Sequence, residues 1–102
     1  MFLPLDGPAK QGVLSSVGTV TPVECKIEAQ PFSERKVITL QGDGKFYVYF
    51  ADEGETPNAA TVSANGFTQF KDQKETYEAS CQQAVFVLSV TGTIDIVLAE
   101  RA

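Results

Sequence analysis

The chain contains no histidine and no tryptophan. Histidine is the commonest general base and the commonest side-chain metal ligand, so its absence removes the simplest routes to nucleophilic catalysis and to a transition-metal site. The missing tryptophan argues against a sugar-binding cleft. Cysteine is scarce: Cys25 and Cys81 allow a single internal pairing, form no C-x-x-C motif and lie far apart, which disfavours zinc or redox chemistry. Cys25 falls on the apolar side of an alternating segment and is expected as a buried free thiol. A disulfide is the alternative, disfavoured by an intracellular compartment. Basic residues are few, 8 Lys+Arg against 13 Asp+Glu. The resulting net charge of −5 speaks against a nucleic-acid partner. Long apolar runs are missing too. None approaches the roughly 18 residues of a membrane span. Met1-Phe2-Leu3-Pro4-Leu5-Asp6 is interrupted by proline and has no preceding basic residue, unlike a signal peptide. A cytosolic product without a membrane partner is expected.

What the sequence does have is alternation. Its 102 residues suit one domain, able to bury roughly two-thirds of its unfolded surface. From Gln11 onward apolar and polar side chains recur with period two, the signature of half-buried strands. Strands are expected over 13–20, 23–29, 35–41, 45–51, 75–79, 84–90 and 93–99, with shorter ones at 60–63 and 67–70. In 23–29, Val23, Cys25, Ile27 and Ala29 share one face. In 45–51, Phe46, Val48 and Phe50 oppose Tyr47 and Tyr49. Turn signals separate the runs: Thr21-Pro22, Gly42-Asp43-Gly44 (read as left-handed backbone), Asn65-Gly66 and Thr91-Gly92. The strands at 84–90 and 93–99 carry apolar stripes in phase and read as a closing hairpin. No segment has a sustained helical period. Seven to nine short strands at this spacing predict an all-β protein, an antiparallel β-sandwich or jelly-roll-like barrel.

Residues 1–12 hold Pro4, Gly7, Pro8 and Gly12 and read as a flexible tail or as an extended N-terminal arm ahead of a single domain over 13–102. Phe2, Leu3 and Leu5 cannot be buried by such a segment alone. Each would gain on the order of 1.5–3 kcal/mol in a partner's groove. Tyr47 and Tyr49 face away from the core side of their strand, so another element or another subunit must cover them. These five side chains are the candidate partner-binding residues. If a subunit supplies the cover, the chain is a homo-oligomer.

The remaining clusters lack partners for chemistry. Asp52, Glu53 and Glu55, with Asp43 across a presumed hairpin, do not match a calcium loop and read as a solvated loop. Ser15, Ser16, Ser33 and Ser63 sit in no nucleophile elbow and have no histidine to activate them. Gly42-x-Gly44 precedes no helix and lacks the Lys-Ser/Thr of a phosphate loop. The aromatic run 46–50 resembles a base-stacking platform, but Lys45 is its single cation and Asp52 and Glu53 follow it. No catalytic, cofactor or metal site is expected, and the chain reads as a non-enzyme.

Residues 35–102 resemble a family of small virion proteins of tailed bacteriophages. The similarity is carried by Arg-Lys-Val-Ile-Thr-Leu-Gln at 35–41, a glycine turn, and Lys-Phe-Tyr-Val-Tyr-Phe at 45–50. It continues in Asn-Gly-Phe-Thr-Gln-Phe-Lys at 65–71, Glu-Thr-Tyr-Glu-Ala at 75–79, and the run from Val85 through Glu100. The resemblance implies capsid decoration: a cement protein on the virion surface, assembled in the host cytoplasm and bound to the major capsid protein. It places a three-fold oligomer ahead of a two-fold one. A head–tail connector, collar or tail component is the alternative, and a carbohydrate-binding β-sandwich a weaker one.

Overall fold

The strands pair from the outside of the sequence inward. In the computed structural model, which describes residues 9–102, β1 (Ala9–Val17) lies antiparallel to β8 (Ile94–Arg101), and β2 (Val23–Glu24) to β7 (Val85–Ser89). Likewise β3 (Val37–Gly42) pairs with β6 (Lys74–Glu78), and β4 (Phe46–Phe50) with β5 (Phe67–Gln69). Two further antiparallel pairings, β3 with β8 and β4 with β7, roll this long ribbon into two four-stranded sheets of order β1-β8-β3-β6 and β2-β7-β4-β5. That is the strand order of a jelly roll. The all-β sandwich expected from the alternation is therefore the fold.

The core lies between the sheets. Ile38, Leu40, Ile94, Ile96 and Leu98 from the first sheet meet Phe46, Val48, Val85 and Val87 from the second, joined by Val17 and Cys25. Except for Val17, which the irregularity after Leu14 turns inward, each is the in-phase member of its alternating run, and burial of such side chains stabilises by about 1.5–3 kcal/mol apiece. Ala79 completes the cluster, while Leu14, Val23, Ile27, Phe50 and Tyr77 pack at its margins.

Several sequence expectations are corrected. The strands at 84–90 and 93–99 exist, but they do not form a hairpin: β7 and β8 belong to different sheets, and Thr91-Gly92 carries the chain across the sandwich. In-phase apolar stripes mark two faces of one core, and facing sheets satisfy that as well as neighbouring strands do. Gly92 has φ +67°, as its turn requires. Gly42 and Gly44 do not adopt the left-handed backbone expected of them. Side-chain crowding is what demands glycine there. A Cβ on Gly44 would lie 2.5 Å from Ile94 Cγ2, and one on Gly42 would lie 2.7 Å from Phe46 Cε1.

The short strand expected at 60–63 is helix α1 (Ala59–Asn65). Asn58 caps it, its side-chain oxygen accepting from Thr61 N at 2.8 Å, and three alanines support it. β1 begins at Ala9, so residues 9–12 belong to the sandwich, paired with 98–101, rather than to an arm. β2 ends at Glu24, well short of residue 29, because Ile27 N turns to the Glu100 carboxylate instead of a neighbouring strand.

Candidate functional site

Phe2, Leu3 and Leu5 lie outside the described residues. Tyr47 and Tyr49 lie on the outer side of the β2-β7-β4-β5 sheet, both half-buried. α1 packs against β4 and β7. Its Val62 is fully buried, as is Leu88 of β7, yet both stand apart from the main core cluster. The tyrosine side of this sheet thus has a cover supplied by the chain itself. Tyr49 Oη donates to the Glu55 carboxylate (2.8 Å to Oε2), while Glu55 Oε1 accepts from Asp52 N at 2.8 Å. This hydrogen bond raises the Tyr49 pKa, with lesser contributions from burial and from the charges of Glu55 and Asp52. The acidic loop is thereby closed on itself: Glu55 is spent on Tyr49 and the loop backbone, and Asp52 and Glu53 face solvent. Asp43 is at the other end of the sandwich, where its Oδ1 accepts from Asp95 N at 2.9 Å. No group of three or more metal-ligating side chains occurs among the described residues.

The densest polar constellation is one the sequence did not suggest. Arg35 precedes β3 and is only 2% exposed. Its Nη1 donates to Cys25 O at 2.9 Å and to Glu100 Oε2 at 3.1 Å. Nη2 donates to Ser80 O (2.8 Å) and Gln83 O (2.6 Å), and Nε to Ala79 O (3.0 Å). Glu100, fully buried, also accepts from Ile27 N (3.2 Å) and Phe32 N (3.0 Å). One guanidinium and one carboxylate thus clasp the β2–β3 loop, the β6–β7 loop and β8. Every Arg35 nitrogen is satisfied and none points to a cavity, so the pair orders loops and does not present a reactive group. The signal that could have found it is parity. Ile94, Ile96 and Leu98 point inward, and Glu100 is the next residue in that series.

Cys25 and Cys81 are both free, Cys25 buried and Cys81 half-buried. Burial pushes the Cys25 thiol far above its ordinary pKa, outweighing the opposing pull of Arg35. A second buried polar bridge joins the sheets at their β5–β6 side: Gln69 Nε2 donates to Leu40 O and Gln73 O, both at 2.7 Å, and Tyr77 Oη donates to Gln69 Oε1 at 2.9 Å.

What remains for function is surface. The outer side of the β1-β8-β3-β6 sheet carries Gln11, Val13, Thr39, Gln41, Val97 and Ala99. Val13 and Val97 are directly paired, with 56% and 43% of their surface exposed. A depression of about 110 Å³ lies on this side among Thr39, Gln41, Lys74, Val97 and Arg101, too small for most organic ligands. A second apolar area lies at the β5 edge, where Phe67 and Phe70 are exposed, Phe50 meets Phe67 edge to face, and Lys45 Nζ sits 5.2 Å above the Phe70 ring. No helix among the described residues is long and apolar enough to cross a membrane. The chain matches no protein-family model and no curated protein.

Proposed function

We propose that the chain is a structural, non-enzymatic virion component that decorates the capsid of a tailed bacteriophage by non-covalent binding to the major capsid protein, and that it works as a homo-oligomer. The observation supporting this reading is the exposed Val13–Val97 pair on the outer side of the β1-β8-β3-β6 sheet, an apolar spot ringed by Lys74, Asp95 and Arg101. The resemblance over residues 35–102 supplies the kind of assembly. A decoration protein performs no bond chemistry. It folds alone, stays soluble, and buries surface when a shell is presented. A net charge of −5 suits the free pool, and many weak contacts on a symmetric shell sum through avidity. Phe2, Leu3 and Leu5 supply further apolar area for the shell or a neighbouring subunit.

Co-sedimentation of the purified chain with undecorated capsids tests this. Saturable binding with hundreds of copies per particle supports decoration, and bound shells should resist heat better than bare ones. A count of about 6–15 copies instead identifies a connector, collar or tail ring, closed by rotational symmetry. No binding to capsids at saturating concentration defeats the proposal. Deleting residues 1–7 leaves β1 intact and should weaken capsid binding without unfolding the domain.

A further inference from the structure

We infer that the depression on the outer side of the β1-β8-β3-β6 sheet binds one tetrahedral oxyanion of phosphate size, held between Arg101 and Lys74. The site is independent of capsid decoration and can be read on the isolated chain.

The strand register builds the depression. On the outer side Ala99 pairs with Gln11 and with Thr39, and Thr39 pairs with Thr76. One row along, Val97 pairs with Gln41, and Gln41 with Lys74. One row the other way stands Arg101, paired with Val37. Ala99 and Thr39 are short, and their longer neighbours leave them only 8% and 7% exposed. They form the floor of a dip of about 110 Å³, lined by Arg101 from one end and by Gln41 and Lys74 from the other. That volume admits a single oxyanion and excludes a nucleotide.

The donors around this dip lack acceptors. Arg101 Nε is the one buried side-chain nitrogen or oxygen without a hydrogen-bond partner among the described residues. An unpaired buried donor costs stability until an acceptor reaches it. Arg35, by contrast, spends every nitrogen on protein oxygens. Among the described residues neither Arg101 nor Lys74 joins an ion pair, whereas Lys10, Lys26 and Arg35 do. No carboxylate lines the depression. In a chain with 13 acids against 8 bases, these two cations share a dip that the protein's own acids leave open. The floor adds a further donor. Thr39 Oγ1 and Thr76 Oγ1 lie 2.9 Å apart, and that bond uses one hydroxyl hydrogen and frees the other.

The donor set selects the ligand. A planar carboxylate is satisfied by a guanidinium fork alone. A guanidinium at one end, an ammonium at the other and a hydroxyl beneath suit the four oxygens of a tetrahedral anion. A modest turn of the Arg101 side chain sets Nε–H and an Nη–H on two of them. Acids stand nearby: Glu78 lies beyond Val37 in the Arg101 row, and Asp43, Asp72 and Asp95 line the neighbouring depression past Val97 and Gln41. They oppose the anion, so binding is weak, with a dissociation constant on the order of 1–10 mM at low ionic strength.

Titration of the full chain with inorganic phosphate at constant ionic strength, followed by proton–nitrogen NMR, tests this. Saturable shifts are expected at the Thr39, Ala99 and Arg101 amides and at the Arg101 Nε–H signal. Lys74→Gln and Arg101→Gln should each weaken binding at least about fivefold. Lys74 is exposed, so its variant stays folded even if Arg101→Gln does not. Lys36→Gln removes the same charge outside the depression and should change affinity much less. Linear shifts spread over all the lysines overturn the inference, as does binding indifferent to Lys74→Gln or weakened equally by Lys36→Gln. Acetate binding as tightly as phosphate overturns the tetrahedral assignment. Phosphate that binds only once residues 1–7 are deleted gives Arg101 to the chain's own N-terminal segment and also overturns it.

Discussion

Replacing Arg35 with methionine tests the energetic account of the clasp. The substitution keeps an unbranched apolar stem of similar bulk and deletes the charge and all of the guanidinium hydrogen bonds. It leaves the Glu100 carboxylate buried, with only the Ile27 and Phe32 amides for compensation, and strips partners from the carbonyls of Cys25, Ala79, Ser80 and Gln83. Removing one member of a buried ion pair costs about 3–5 kcal/mol. Total stability for a domain of this size is about 5–15 kcal/mol. With a urea m-value of about 2 kcal/mol/M, the unfolding midpoint should fall by roughly 2 M. Urea titration followed by far-UV circular dichroism measures it, and an unchanged m-value confirms that stability alone has moved. The double variant Arg35→Met/Glu100→Gln should lose less than the sum of the single losses by at least ~1 kcal/mol, because the stranded charge is gone. A midpoint shift below about 0.5 M for Arg35→Met, or strict additivity in the cycle, would refute the view that the pair holds the two loops to β8.

Three other expectations follow from the same structure. In native protein a thiol reagent should modify Cys81 at least about tenfold faster than Cys25, whose burial disfavours the reactive thiolate; equal rates would contradict the packing around Cys25. Alkaline titration of tyrosinate absorbance should show Tyr49 and Tyr77 ionising above the ordinary value of about 10, Tyr49 through its hydrogen bond to Glu55 and Tyr77 mainly through burial. Stability from the Tyr49–Glu55 bond is complete below that value and fades as pH rises through the raised one. Glu55→Gln should move the Tyr49 transition back down and leave Tyr77 in place. Gly44→Ala should cost about 1–3 kcal/mol because its Cβ would press into Ile94, measurable as a lower thermal midpoint. A neutral result would mean that the 42–45 turn yields easily.

The alternation in the sequence located most strands within a few residues, because in a sandwich each strand shows one side chain in two to the core. Phe46, Val48, Ile94, Ile96 and Leu98 could be assigned inward from parity alone. Pairing was not legible in the same way. Parity says that a strand has a buried face but not which strand lies beside it and which lies opposite, so 84–90 and 93–99 looked like a hairpin when they occupy different sheets. Strand 60–63 failed for another reason. Thr61-Val62 favours a strand by propensity, but the Asn58 cap fixes the first helical turn and buries Val62 over β4 and β7. Glycine was misread at 44 because crowding by Ile94, far along the chain, leaves no local trace, and at 42 because Phe46 packs back against the turn.

The candidate surface was half legible, and the division has a physical cause. Local pattern gives a side chain's direction: Tyr47 and Tyr49 do lie opposite the core, on the side where the chain's own α1 packs, and their direction carries no partner-binding role. Residues whose role is set by long-range neighbours cannot be found in a string of letters. Arg35 and Glu100 are 65 positions apart, and each alone looks like an ordinary surface charge. The open edge of β1 is of the same kind. Nothing in Ala-Lys-Gln-Gly-Val-Leu-Ser-Ser-Val says that its outer row of amides meets no other strand, since that depends on β1 having β8 on one side and no described strand on the other. Burial of an unseen charge pair and exposure of an unseen edge have one origin. The jelly roll pairs first with last, and its closing strand delivers Glu100 inward to Arg35 while leaving β1 at the rim.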